Sequence, residues 1–73
     1  MAQNLTASVV IANGQEISLP VSCSLEEFLL NQKLPPKSVV VELNGEAVAP
    51  SEFCKRFIHS GDKMEIVKIV AGG

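Results

Sequence analysis

"SVVIANGQEISLPV", residues 8–21, decides the fold. Val9, Val10 and Ile11 put three β-branched apolar side chains in a row, the composition of a strand. Ile17, Leu19 and Val21 then alternate with more polar neighbours, so they share one face of a half-buried strand. Between the two lies Asn13-Gly14. Both central positions of a type I′ turn require positive φ, and Asn-Gly is the pair that adopts them most readily. The chain therefore opens on a β-hairpin. Pro20 cannot donate to a ladder, which predicts that the second strand lies at a sheet edge.

Working outward, Ser24-Leu25-Glu26-Glu27 has the form of a capping box: Ser24 accepts from the Glu27 N–H, and Glu27 reaches back. Leu25, Phe28, Leu29 and Gln32 follow at helical spacing, three of them apolar. Leu34-Pro35-Pro36 stops the helix near Lys33 after about three turns, because a residue before proline is pushed out of the α region. Residues 38–43 read as a third strand. Asn44-Gly45 is a second hairpin signal, and Glu46-Ala47-Val48 returns as a short strand. Pro50-Ser51-Glu52 opens a short second helix, which is expected to place Phe53 and Phe57 on one face. Ser60-Gly61-Asp62 turns the chain, and Lys63 to Val70 form the last strand. This order predicts an α+β domain: a mixed four- to five-stranded sheet with one main helix across one face and a short second helix.

The chain has 73 residues, enough for one domain over 1–73 with a modest core. It is 47% hydrophobic and 19% charged, as expected for a folded soluble protein. A net charge of −2, with three Phe and no Trp or Tyr, argues against nucleic-acid binding. No stretch approaches the length of a membrane span, and the first residues lack the basic region of a signal peptide. The expected location is cytoplasmic. Length alone favours a carrier or binding module over an enzyme with its own cleft.

In the last strand, Met64 and Ile66 should face the core and Lys63 and Glu65 the solvent. The same phase sends Val67 and Ile69 outward, an apolar pair expected to contact a partner. It sends Lys68 inward, where the strand is expected to have left the core. The sequence then closes on Val70-Ala71-Gly72-Gly73, expected to be a flexible tail over 70–73.

Three stretches carry a family resemblance: "VELNGEAVAPSEF" at 41–53, "GDKMEIVKIV" at 61–70, and "AGG" at 71–73. Together with the element order, they resemble the ThiS family of sulfur carriers, which share the ubiquitin-like β-grasp fold and end in Gly-Gly. The resemblance implies a cycle. An adenylyltransferase like the ubiquitin-activating enzymes (ThiF type) uses ATP and Mg²⁺ to adenylate the Gly73 carboxylate. Sulfur from a cysteine desulfurase persulfide replaces AMP, leaving a thiocarboxylate. A thiazole synthase (ThiG type) takes that sulfur for thiamine. No cofactor is expected on this chain itself. Ala71 and Gly72 form the part threaded into the partner: glycine lacks Cβ and lets other backbone approach closely. Four extended residues span at most roughly 13–14 Å, enough to enter a pocket.

Two other readings stay open on the same residues. One is a carrier serving another pathway, resembling the small subunit of molybdopterin synthase or a tRNA-thiolation modifier. The other is a non-catalytic β-grasp interaction domain with an incidental Gly-Gly. Cys23 and Cys54 match no metal or redox spacing and are expected to be reduced, partly buried small hydrophobes. His59 is expected at the surface, Lys55-Arg56 on a solvated face, and Glu26-Glu27 at the helix N-terminus, where the dipole favours them.

Overall fold

The structure, a computed structural model, describes residues 8–19 and 23–69. The opening hairpin forms as expected. Strand β1 (Ser8–Ala12) pairs antiparallel with β2 (Gln15–Leu19), with Val10 opposite Ile17. Asn13 and Gly14 both take positive φ, 51° and 82°, as a type I′ turn demands. A two-residue strand, β3 (Cys23–Ser24), leads into helix α1 (Leu25–Asn31). After a 3₁₀ turn at Pro36–Ser38 come β4 (Val39–Leu43) and β5 (Glu46–Val48), joined by Asn44-Gly45, again at positive φ. A second 3₁₀ turn (Pro50–Glu52) precedes β6 (Phe57–Ile58), and β7 (Lys63–Lys68) completes the described strands.

The main sheet has the order β2-β1-β7-β4-β5. Its central pair, β1 with β7, is parallel, and the other pairs are antiparallel. The hairpin's second strand lies at the sheet edge, while Pro20 falls outside the described residues. α1 lies on one face: Leu25, Phe28 and Leu29 pack with Val10, Val41 and Met64 in a single buried cluster. The mixed sheet crossed by one helix is the architecture expected.

Three expectations are corrected. First, α1 has seven residues, about two turns. It ends before the prolines because Gln32 caps it and Lys33 turns left-handed at φ 62°. The Leu34 N–H donates to the Leu29 carbonyl at 2.8 Å and the Lys33 N–H to the Leu30 carbonyl at 3.0 Å. That pair of bonds is a Schellman stop.

Second, Phe57 lies on no helix. The expected second helix is a single 3₁₀ turn, after which the backbone is drawn to the start of α1. A helix start leaves its first N–H groups without intrahelical partners. Here the Leu25 N–H donates to the Arg56 carbonyl at 2.8 Å, and the Glu26 N–H to the Phe53 carbonyl at 3.0 Å. The capping box serves the next: the Glu27 N–H donates to Ser24 Oγ, and the Ser24 N–H to Glu27 Oε1, both at 3.0 Å. Held this way, the segment pairs β6 with β3 in a separate two-stranded sheet. Strand alternation then buries Ile58 and leaves Phe57 50% exposed, while Phe53 is buried.

Third, Cys54 is exposed; only Cys23 is half-buried against the core.

Candidate functional site

β7 carries the candidate site because it runs straight toward residues 70–73. Its alternation is as expected: Met64 is buried and Ile66 half-buried, while Lys63, Glu65 and Val67 point outward. Val67 is 57% exposed and Ile69 53%. Lys68 stands opposite Val39 on the helix side of the ladder, yet is exposed. The pairing persists past the core, since the Ile69 N–H still donates to the Ser38 carbonyl at 2.8 Å. Ala71, Gly72 and Gly73 lie outside the described residues.

The register adds residues that the sequence did not flag. Val67 faces Val40, itself 51% exposed, and Glu65 faces Glu42. Ala47 stands opposite Glu42 on the neighbouring strand. Together Val40, Ala47, Val67 and the two glutamates line a shallow groove of about 370 Å³ on the face away from α1. Like charges directly opposite each other across strands are destabilising. Glu42 and Glu65 therefore bear a small cost in the free chain, one that a cationic group from outside relieves. The signal for Val40 was weak in the sequence, because only the strand register sets it beside Val67.

Among the described residues, the remaining titratable groups form no catalytic arrangement. The exposed His59 donates its backbone N–H to Asp62 Oδ2 at 2.8 Å, and its Nδ1 lies 3.9 Å from the same oxygen. No hydrogen bond joins it to Cys54 among the described residues. Arg56 Nη2 lies 3.5 Å from Glu46 Oε1, an exposed pair of small energetic value. Burial pushes the Cys23 thiol above its ordinary pKa, and the Glu27 carboxylate adds in the same direction. A thiol held protonated is a poor nucleophile. Among the described residues, no group of three or more His, Cys, Asp or Glu side chains could hold a metal ion. No helix among the described residues is long and apolar enough to cross a membrane.

A family model described as the ThiS family matches residues 4–73. A thiazole synthase of Paramagnetospirillum magneticum (strain ATCC 700264 / AMB-1) is 33% identical over 64 residues, covering 88% of this chain and 20% of that protein. The chain thus spans about a fifth of the length of that curated relative. Among solved structures, the crystal structure of a thiamine biosynthesis protein (ThiS) from Geobacter metallireducens matches with a TM-score of 0.76 at 28% identity, covering 89% of this chain and 99% of that one. An NMR solution structure of a thiamine biosynthesis protein from the same organism matches with a TM-score of 0.73, also at 28% identity, covering 89% and 87%.

Proposed function

This chain belongs to the ThiS family, the small sulfur carriers of thiamine biosynthesis, and from that premise we propose that its Gly73 carboxylate is the group that carries the sulfur. The chain acts as a protein cosubstrate and its partners supply the catalysis. A ThiF-type adenylyltransferase, using ATP and Mg²⁺, joins the carboxylate oxygen to the α-phosphorus of ATP and releases pyrophosphate. The acyl carbon, a poor electrophile in a carboxylate, now bears AMP as a good leaving group. The terminal sulfur of a cysteine desulfurase persulfide attacks it and displaces AMP. A thiol then reduces the resulting S–S bond and frees the thiocarboxylate. A ThiG-type thiazole synthase consumes that sulfur.

The observation that carries this reading is the exposed apolar pair Val67 and Val40, with Ile69, on the strand that leads into the tail. A partner that draws Gly72 and Gly73 into its active site must grip the body within the tail's short reach. An exposed apolar cluster at the root of the tail suits that grip. The flanking Glu42 and Glu65 favour a partner surface that sets a basic side chain beside an apolar one. The thiazole synthase that contains a stretch similar to 88% of this chain supports that enzyme class as the sulfur acceptor.

The test is intact mass. Incubation with the adenylyltransferase, ATP, Mg²⁺ and a persulfide donor should replace one oxygen of the terminal carboxylate with sulfur. Adding a thiazole synthase and its other substrates should then yield thiazole phosphate. A protein that never gains sulfur is no carrier. One that gains sulfur, yet gives no thiazole with a productive synthase, serves another pathway.

A further inference from the structure

The backbone of β7 carries information beyond its side chains. In an antiparallel ladder, successive residues turn their N–H and C=O groups alternately toward one neighbour and the other. The Lys63 carbonyl accepts from the Asn44 N–H at 2.7 Å, and the Ile69 N–H donates to the Ser38 carbonyl at 2.8 Å. With the register between them, the odd-numbered residues of β7 bond toward β4. The even-numbered residues must bond toward β1. The Met64 carbonyl does so, accepting the Asn13 N–H at 2.9 Å.

β1 stops at Ala12, so Ile66 has no strand beside it. The Asn13 side chain takes the place of one. The Ile66 N–H donates to Asn13 Oδ1 at 2.7 Å, and Asn13 Nδ2 donates to the Ile66 carbonyl at 3.0 Å. The next even position is Lys68. By then the hairpin has turned back into β2, on the far side of β1. Among the described residues, neither the N–H nor the C=O of Lys68 has a partner. β7 therefore leaves the sheet one-sided, and its open edge begins at Lys68, directly before the tail.

An unpaired strand edge is a template for another chain. We propose that an extended segment of the adenylating partner adds here as a strand, accepting from the Lys68 N–H and donating to its carbonyl. This rests on the carrier reading above. Position favours the partner over a second copy of this chain: Asn13 closes the edge at Ile66, so pairing can only extend in the direction of the residues the partner must draw in. A notch of about 170 Å³, bordered by Asn13, Gln32, Leu34 and Ile66, offers a seat for a side chain of the added strand. Main-chain bonds at Lys68 set the register of the tail, and with it the depth to which Gly73 reaches. They are indifferent to the side chain at this position.

Lys68→Pro and Lys68→Ala separate the two roles. Proline removes the N–H, which makes no bond in this sheet, and proline is tolerated on a strand where that group faces away from the ladder. Lys68→Pro should raise the KM for this protein in the adenylation reaction by about tenfold, the cost of one lost hydrogen bond at a closed interface. Its Tm should be kept, and Lys68→Ala should match the parent. Should Lys68→Pro fail to fold, amide exchange on the parent protein decides. The Lys68 amide should exchange fast in the free protein and at least about tenfold slower in the complex, while the Val67 amide, bonded to β4, is slow in both. Equal KM values for the two variants, or a Lys68 amide that exchanges equally fast in the complex, overturn the strand addition and leave the carrier reading intact. Protection of that amide without the enzyme assigns the edge to a second copy and overturns it too. Failure of the parent protein to be adenylated is the separate failure of the carrier reading.

Discussion

Lys33 occupies a backbone seat built for glycine. Its φ of 62° is forced by the Schellman stop of α1. An L-residue in this region pays for contact between Cβ and its own backbone, about 1–2 kcal/mol. Glycine avoids that cost but loses more conformational freedom on folding, which returns about 0.4–1 kcal/mol. Lys33→Gly should therefore stabilise the protein by about 0.5–1 kcal/mol, raising Tm by about 3–6 °C. Thermal unfolding checks this; an unchanged or lower Tm would mean that the lysine stem repays its strain through packing. The residue also shows where local sequence is readable. The capping box at Ser24 and Glu27 was legible because every partner in it lies within four residues. The helix stop near Lys33 was legible too, but its cause was not: Pro35 and Pro36 announce an end, yet the stop is made by Gln32 and Lys33 themselves. Lysine seldom takes the left-handed conformation, so nothing local announces that mechanism.

At the scale of the element, both Asn-Gly turns do more than reverse the chain. Asn44 Oδ1 accepts the Lys63 N–H at 3.0 Å where β7 begins, and Asn13 holds Ile66 where β1 can no longer reach it. Side chains from other turns thus pin β7 where it begins and where its pairing with β1 ends. Asn13→Gly separates the functions of that residue, since glycine keeps the positive φ of the turn and removes only the amide. Losing two modest hydrogen bonds should cost about 1–2 kcal/mol in urea unfolding, with the hairpin intact. A variant as stable as the parent would show that water replaces the amide without loss. The turns were plain in the sequence because Asn-Gly has a local reason to turn. Their reach to β7 was not, being a contact 53 residues away in the chain. For the same reason the β3–β6 pair was invisible: two residues on each side carry no period, and a backbone bond to the start of α1 decides their place. Spacing alone puts Phe57 on a helical face with Phe53, and that distant bond turns it outward.

For the whole molecule, the proposed carrier role divides the work between the folded body and residues 70–73. Every buried apolar side chain among the described residues lies between Val10 and Met64, and Ile66 packs partly against them. Beyond Ile66, what is described of β7 is exposed and still held by β4. β7, the strand that precedes residues 70–73 in the sequence, is the middle one of five, anchored between β1 and β4 rather than hung from an edge. A partner pulling on residues 70–73 therefore pulls on the best-secured strand in the sheet. The sequence revealed the outward phase of Val67 and Ile69, because strand alternation is local. The groove they share with Val40 and Ala47 appeared only with the register. If Gly73 is the sulfur-bearing residue, stability and activity must come apart when it is removed. Deleting Gly73 takes away none of the described core, and surface changes of this kind shift stability by less than about 0.5 kcal/mol. Its Tm should stay within about 3 °C of the parent. Adenylation should be abolished, because the new terminal carboxylate falls about 3.5 Å short of the old one. A truncated protein that is adenylated at the parental rate would place the acceptor elsewhere. A Tm lowered well beyond that margin would make the tail part of the folded body instead of the piece it presents.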